Sequence, residues 1–216
     1  MKNFVIAIDG QSASGKGTLA TRISQHFRCK YLPTGNLYRL VAYKVYQNNL
    51  NPKSLEDPKI LDELLVNFDL FLLYSDKLNN ENIALIASKI SQNQELRKRL
   101  NQIQFDWVKN NKVAILEGRD IGTVICPKAD VKFYLKAHPE ERAKRRMIQY
   151  QRQGSMGYTQ NEILADIRER DYQDSHRENS PLKPADDSHV IDTTKLSSDQ
   201  VYEEAMRIIL KKYNSK

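Results

Sequence analysis

The feature that most constrains this chain is a glycine-rich segment near its start, IDGQSASGKGTLA. From Gly10 to Lys16 it has the G-x-x-x-x-G-K spacing of a phosphate-binding loop. The strand-like run FVIAI precedes the loop, and an apolar helical stripe of Leu19, Ile23 and Phe27 follows it. Backbone N–H groups at the start of a helix bind anions. The segment therefore predicts a site for the phosphates of ATP.

The residue after the loop lysine departs from the commonest form of this motif. Gly17 stands where serine or threonine is usual, and a hydroxyl comes only at Thr18. Because Mg²⁺ then loses its usual protein ligand, we expect phosphate oxygens and water to hold it with ATP, without a protein metal site. Lys16 is predicted to be catalytic through contact with the β- and γ-phosphates. The predicted ATP-binding residues are Gly10, Gln11, Ser12, Ala13, Ser14, Gly15, Lys16, Gly17 and Thr18.

Short apolar runs alternate with helical patterns along the rest of the chain. The strand-like runs are FVIAI (4–8), VAIL (113–116), VKFYL (131–135) and HVID (189–192). Such runs are typical of buried parallel strands, and their alternation with helices indicates the α/β class. Helices are predicted over residues 138–152, which open with Pro139, and after Ser197, where an S-x-x-Q run resembles a capping box.

Two regions interrupt this alternation. Residues 48–96 predict an insertion, with a helix in DPKILDELLVNF, a strand in FDLFLL and a turn at Asn79 and Asn80. Residues 153–161, QGSMGYTQN, predict a mobile loop between two basic helices.

Charge and cysteine usage limit the class of protein. The net charge of +7 favours anionic partners, either nucleic acid or a small phosphorylated substrate. Cys29 and Cys126 match no metal or redox spacing and predict reduced thiols in a cytoplasmic protein. The first apolar run ends at Asp9, too short for a signal peptide, and no later run reaches the roughly 20 apolar residues of a membrane span. We therefore expect no membrane partner.

Three further segments are more specific than the phosphate loop. They are YLPTGNLYR (31–39), EGRDIGTVICPKADVKFYL (117–135) and RERDYQDSHRENSPLKPADDSHVIDTT (168–194). In sequence and order they resemble the corresponding segments of bacterial cytidylate kinases, and the similarity covers nearly the whole chain. The resemblance implies a P-loop nucleoside monophosphate kinase that phosphorylates CMP and dCMP with ATP, and we expect it to be a monomer. It implies one kinase domain over 1–216, with a core of 1–47, 97–137 and 178–216, an NMP-binding insertion of 48–96 and a lid of 138–177.

Transfer to a nucleoside monophosphate needs arginines more than it needs a base. The nucleophile is already an anionic phosphate oxygen, and a planar guanidinium grips phosphate with two hydrogen bonds. The resemblance places Arg39, Arg119 and Arg177 at the α-phosphate of CMP, and we predict that Arg119 and Arg177 are catalytic. It places Thr34 and Tyr38 beside the acceptor.

The resemblance also assigns the base and the ribose of CMP. Ser88, Arg97 and Asp120 match the positions that recognise cytosine, whose N4 amino group suits a carboxylate. Arg170 and Asp174 match those that hold the ribose, with Asp174 accepting from its hydroxyls. The alternative interpretation of Asp174 is an ion pair with Arg170 or Arg177 on the surface of one helix.

A basic run follows the VKFYL strand. In related kinases this position carries a lid that closes over ATP and excludes water. We therefore interpret the run as charge for the polyphosphate. Its members are Arg142, Lys144, Arg145, Arg146 and Arg152.

Two other functions stay open on the residues alone. One is a kinase for UMP, dTMP or a hydroxyl compound, in which Asp9 could orient the hydroxyl. The other is a nucleotide-dependent switch or nucleic-acid-binding protein. The sequence has no N-K-x-D guanine-reading element, and its arginines are dispersed among separate motifs. We therefore expect no nucleic-acid partner.

Overall fold

The computed structural model describes residues 3–66, 68–152, 154 and 157–215. Gln153, Ser155 and Met156 of the predicted mobile loop lie outside these described residues. The chain forms two compact units. The first consists of Met1–Leu32 with Val108–Lys216, and the second is Pro33–Trp107.

The bounds of the strands and α-helices show where the two patterns occur along the chain. The described strands are β1 (Phe4–Gly10), β2 (Tyr31–Pro33), β3 (Val113–Gly118), β4 (Val131–Lys136) and β5 (His189–Asp192). The described helices are α1 (Lys16–His26), α2 (Thr34–Gln47), α3 (Pro58–Leu65), α4 (Glu81–Ile90), α5 (Gln94–Asn110), α6 (Pro139–Arg152), α7 (Gln160–His176) and α8 (Ser198–Tyr213). Within the described ranges, no helix is long and apolar enough to cross a membrane.

Five strands of the described chain form one sheet in the order β2-β3-β1-β4-β5. The central strand β1 pairs in parallel with β3 and β4, and β4 pairs in parallel with β5. This confirms the α/β class and the four predicted strands, whereas β2 was missed because three residues are too few to show a pattern. Since the carboxyl ends of parallel strands meet at one edge, the segments after Gly10 and Gly118 lie side by side.

The core of the first unit packs helices onto this sheet. Ile6, Ile8 and Phe133 are almost completely buried on the strands. On α1, Leu19 and Ile23 are buried against them and Phe27 packs at the edge, which confirms the predicted stripe. Burial of such side chains contributes about 1.5–3 kcal/mol each relative to exposure, so the sheet is a rigid support for the loops at its edge.

Local sequence signals define the helix ends. The predicted capping box of α8 is present, with the Ser197 hydroxyl accepting from the Gln200 N–H and the Gln200 side chain accepting from the Ser197 N–H. Thr159 and Glu162 form a second capping box at the start of α7. The predicted helix after Pro139 is confirmed as α6.

The second unit is helical and packs around α2 and α4. Leu37 and Leu40 on α2 and Ile83 on α4 are buried. The unit contains the predicted insertion of residues 48–96, together with α2 and most of α5. The contact between α2 and α4 is the reason that α2 belongs to this unit rather than to the sheet.

The strand predicted in FDLFLL is wrong. Leu70–Tyr74 forms a short 3-10 helix, which Asp69 caps by accepting from the Phe71 N–H at 2.8 Å. Leu73 is buried, whereas Phe71 is largely exposed. The predicted turn is present in another form: Asn79 ends a second 3-10 helix and Asn80 caps α4.

Helices α6 and α7, which make up most of the predicted lid region, pack against each other in the first unit. Ala143 on α6 contacts Ile163 and Ile167 on α7 within a small apolar cluster. The movement expected of a lid over residues 138–177 stays a prediction.

Candidate active site

The phosphate loop leaves β1 at a position that only glycine can occupy. Gly10 has a φ of 145°, and a Cβ there would lie 2.0 Å from the Leu135 carbonyl oxygen on β4. Ala13 and Gly15 also have positive φ, at 58° and 98°. The loop therefore has the tight, left-handed turns that aim backbone N–H groups toward a phosphate.

Lys16 is buried at the first position of α1, and its Nζ donates to the Gln11 carbonyl at 2.7 Å. Burial, reinforced by the positive charge of Arg119, lowers the pKa of Lys16 to about 7, although Glu117 acts in the opposite direction. The lysine is thus enclosed by its own loop, and its charge is poorly compensated. A triphosphate bound to the loop would supply the missing negative charge.

Two more features of the loop suit ATP. Within the described chain the buried Ser14 hydroxyl has no hydrogen-bond partner, so it can donate to a phosphate oxygen. A cleft of about 190 Å³ lies beside the loop. Gly15, Thr18, Leu19, Arg145, Thr193, Leu196 and Val201 line it.

The residues beside the loop also fit Mg²⁺ bound with ATP. A Cβ on Gly17 would face Oε1 of Glu117 at 4.0 Å, and Thr18 lines the neighbouring cleft. Among the described residues, no three His, Cys, Asp or Glu side chains form a protein metal cluster. One carboxylate and one hydroxyl beside the phosphates match an ion that keeps most of its water.

The basic run on α6 divides into different roles. Arg146 donates from Nη2 to the Ser12 hydroxyl at 2.8 Å and so reaches the phosphate loop. Arg145 bonds Oγ1 and the carbonyl oxygen of Thr193 at 2.9 and 2.6 Å. Arg142 is fully buried and paired with Asp171. The interpretation of the whole run as charge for the polyphosphate is therefore wrong for Arg142, whose donors are used inside the protein.

Asp9 connects β1 to the GRDIGT segment. Its two carboxylate oxygens accept from the Ile121 and Gly122 N–H groups at 2.8 and 2.7 Å. Burial raises the pKa of Asp9 to about 6, against the lowering effect of these hydrogen bonds. Because both oxygens hold backbone, Asp9 is not placed to orient a hydroxyl acceptor, and that alternative loses its candidate residue.

Asp174 is the centre of the predicted acceptor residues in the first unit. Arg119, at the end of β3, donates from Nε to Asp174 Oδ2 at 2.7 Å. Burial would raise the pKa of Asp174, but Arg119, Arg170 and Arg177 together bring it below the ordinary value. Asp174 thus bonds an arginine on another element in addition to its interactions with Arg170 and Arg177, and its side chain is only 15% exposed.

Asp120 and Arg177 form a second contact in this unit. Arg177 follows α7 and donates from Nε to the Ser180 carbonyl at 2.6 Å. Its Nη2 lies 3.8 Å from Oδ1 of the buried Asp120. The charges of Arg119, Arg170 and Asp174 all act on the pKa of Lys16, so these predicted acceptor residues lie near the phosphate loop.

The other predicted acceptor residues lie in the second unit. Arg39 donates to the Leu78 carbonyl at 2.6 Å, and the guanidinium of the buried Arg97 lies 5.8 Å from the centre of the Tyr38 ring. Arg97 also donates to the Ser91 carbonyl, in the turn that follows Ser88. Thr34, another predicted acceptor residue, is buried at the first position of α2.

Sequence reasoning missed Glu117 as a site residue. It is the second-last residue of β3 and pairs with Ile8 of β1, near the edge at which parallel sheets bind ligands, and its negative charge raises the pKa of Lys16. The position of an acidic residue directly before the GRDIGT segment was a usable signal. The specific contact of Arg146 with Ser12 had no signal, because it depends on how α6 packs.

Comparisons with known proteins agree with this geometry. The cytidylate kinase family model matches residues 6–211. A cytidylate kinase of Bartonella tribocorum is 43% identical over 94% of this chain and 92% of its own length. A cytidylate kinase of Cereibacter sphaeroides is 41% identical over 95% of each chain.

A solved structure extends the likeness to the fold. The crystal structure of an uncharacterized protein from Eubacterium ventriosum superposes with a TM-score of 0.55 at 13% identity. It covers 96% of this chain and 98% of that one, and it supports the fold alone. The family match spans the loop, the GRDIGT segment and α7, and with it the chain belongs to the cytidylate kinase family.

Proposed function

We propose that this protein transfers the γ-phosphoryl group of ATP to CMP and dCMP, giving ADP and CDP or dCDP. One observation carries the proposal: Arg119 and Asp174, which the resemblance assigns to the acceptor, bond each other at 2.7 Å and lie near enough to the loop lysine for their charges to act on its pKa. The transfer breaks the bond between the γ-phosphorus and the β–γ bridging oxygen. It forms a bond to an oxygen of the acceptor phosphate.

The first unit supplies the charge for this reaction. Lys16 and the loop N–H groups hold the triphosphate, and the cleft beside Leu19 and Leu196 is the proposed place of the adenine. Arg119 and Arg177 neutralise the acceptor phosphate and the charge that develops during transfer. Mg²⁺, when bound with ATP, would offset the charge of the phosphates, and Glu117 and Thr18 are the residues that would hold its water shell.

Recognition of the nucleoside follows from the same proposal. Asp174 accepts from the ribose hydroxyls while Arg170 and Arg119 keep it ionised. Asp120 accepts from the cytosine amino group, with Ser88 and Arg97 as further base contacts. Thr34, Tyr38 and Arg39 are further acceptor-binding residues of this proposal. We expect the enzyme to act as a monomer in the cytoplasm, where the two free cysteines stay reduced.

An acceptor screen tests this function. Purified protein is incubated with ATP·Mg²⁺ and each of CMP, dCMP, UMP, AMP and dTMP, and ADP formation is measured. We expect turnover with CMP and dCMP at least tenfold above the others. Equal turnover with all acceptors would remove the cytosine assignment, and fastest turnover with UMP or dTMP would favour the kinase for another nucleotide.

A further inference from the structure

We infer that Arg142 and Asp171 are positioning residues, which fix α7 to the phosphate loop and so set the geometry of both substrate sites at once. This inference rests on the proposed function for its acceptor half. Its ATP half depends only on the phosphate loop.

The contacts of Arg142 connect three segments of the first unit. Its Nε donates to the Ala137 carbonyl at 2.8 Å, at the junction of β4 and α6. Its Nη1 donates to the Ser12 carbonyl in the phosphate loop at 3.2 Å and to Oδ1 of Asp171 at 3.0 Å. Its Nη2 donates to Oδ2 of Asp171. One side chain thus bonds the loop, the end of a core strand and α7.

Asp171 lies on α7 next to the residues proposed to bind the ribose. It directly follows Arg170 and lies three residues before Asp174, so the three lie within little more than one turn of the helix. Asp171 bonds Arg142 on α6, while Asp174 bonds Arg119 at the end of β3. The two ion pairs fix the rotation of α7 about its own axis and its position along that axis. A shift at Asp171 therefore moves the proposed ribose-binding residues.

Burial makes this pair different from an ordinary surface ion pair. The Arg142 side chain is completely buried, and that of Asp171 is 19% exposed. A buried guanidinium that loses its carboxylate keeps an uncompensated charge, so we expect it to move toward water and release Ser12. Arg168 and Glu140 also join α7 to α6, at 2.9 Å, but both are exposed. Within the described residues, neither side chain of that pair bonds the phosphate loop, so the pair is the matched control.

The first test compares Asp171→Asn with Glu140→Gln. Each substitution removes one negative charge from one α6–α7 ion pair and keeps the size of the side chain. For Asp171→Asn we expect the KM values for ATP and CMP to rise at least tenfold each, measured well below the melting temperature of each variant. For Glu140→Gln we expect both KM values within twofold of the wild type. A folded Asp171→Asn protein with both KM values unchanged would overturn the inference, even if its melting temperature fell.

A second variant covers the case in which Asp171→Asn does not fold. Arg142→Lys keeps the charge but cannot bond both Asp171 oxygens and the Ser12 carbonyl together. We expect the same rise in both KM values, of at least threefold. Unchanged KM values would again overturn the inference.

Calorimetry separates this inference from the proposed function. Titration of ATP·Mg²⁺ without acceptor should show weaker binding to Asp171→Asn or Arg142→Lys than to wild type and Glu140→Gln. This comparison holds even if the wild-type protein phosphorylates no cytidine nucleotide, an outcome that would remove the proposed function alone. Equal ATP affinity in all four proteins would overturn the positioning role.

Discussion

The Nε of Arg119 and the Oδ2 of Asp174 lie 2.7 Å apart, which joins the end of β3 to α7 within the first unit. Both side chains are less than a fifth exposed, so water screens the pair only weakly. This ion pair fixes the distance between the arginine proposed to bind the acceptor phosphate and the carboxylate proposed to bind the ribose. A change at either residue is therefore expected to affect acceptor use more than ATP binding.

Asp174→Ala should reduce the preference between CMP and dCMP. CMP has a 2′-hydroxyl that dCMP lacks, and a hydrogen bond from a hydroxyl to a carboxylate contributes about 1.5–3 kcal/mol. We expect kcat/KM for CMP to fall about 10- to 100-fold and the ratio of the two acceptors to change, as measured by ADP formation. Asp166→Ala, an exposed site on the same helix, is the control. An unchanged ratio would exclude Asp174 from the ribose site.

Lys16→Met should abolish most turnover without lowering stability. The buried ammonium group is enclosed by the loop, and loss of one group that stabilises transition-state charge typically lowers kcat about 100- to 1,000-fold. The melting temperature should not fall, since a poorly compensated buried charge is removed. Lys211→Met, on an exposed part of α8, should leave both quantities near wild type. Wild-type turnover in Lys16→Met would show that the loop does not hold the reacting phosphates.

ATP binding should take up protons above pH 7. The pKa of Lys16 is about 7 in the free protein, and bound phosphates should return it toward its ordinary value of 10.5. Between these values the complex holds more protons than the free protein, so affinity falls as pH rises through this window. Calorimetry at pH 8 in two buffers of different ionisation enthalpy measures the uptake. Lys16→Met is the control, and equal uptake by both proteins would contradict this assignment.

Gly10→Ala should prevent stable folding, whereas Gly35→Ala should not. The added methyl group at Gly10 would collide with the Leu135 carbonyl, but at Gly35 nothing lies within 4 Å. Gly35 is in the first turn of α2, where alanine should raise the free energy of unfolding by about 0.5–1 kcal/mol. Thermal melts of the two variants measure the contrast, and a Gly10→Ala protein as stable as wild type would disprove the close approach of β1 and β4.

The elements that the sequence predicted are those with a local physical cause. The stripe of α1, the capping box at Ser197 and the apolar strands each depend on residues a few positions apart. The strand predicted for FDLFLL was wrong because the apolar composition of this run suits a strand. Two features that composition does not show favour a helical turn instead: the cap formed by Asp69 and the burial of Leu73. Composition did not distinguish these two outcomes.

The contacts of the candidate site were predicted less completely than its members. Arg119 and Asp174 were assigned from the resemblance, but their direct pairing depends on where α7 packs. The burial of Arg142 was not predictable either, since an arginine in a basic helix ordinarily faces water. Long-range packing determined that Arg142 is buried and paired with Asp171, whereas Arg146 bonds the Ser12 hydroxyl.

The pairing of β1 has a consequence for synthesis of the chain. Phe4 pairs with Val113, so the first strand leaves the ribosome about a hundred residues before either of its neighbours in the sheet. Pro33–Trp107 is contiguous in sequence and can fold before β3 and β4 have emerged to pair with β1. A nascent-chain experiment should therefore find the helical unit protected from protease first, with the apolar FVIAI segment in need of shielding until β3 and β4 have emerged.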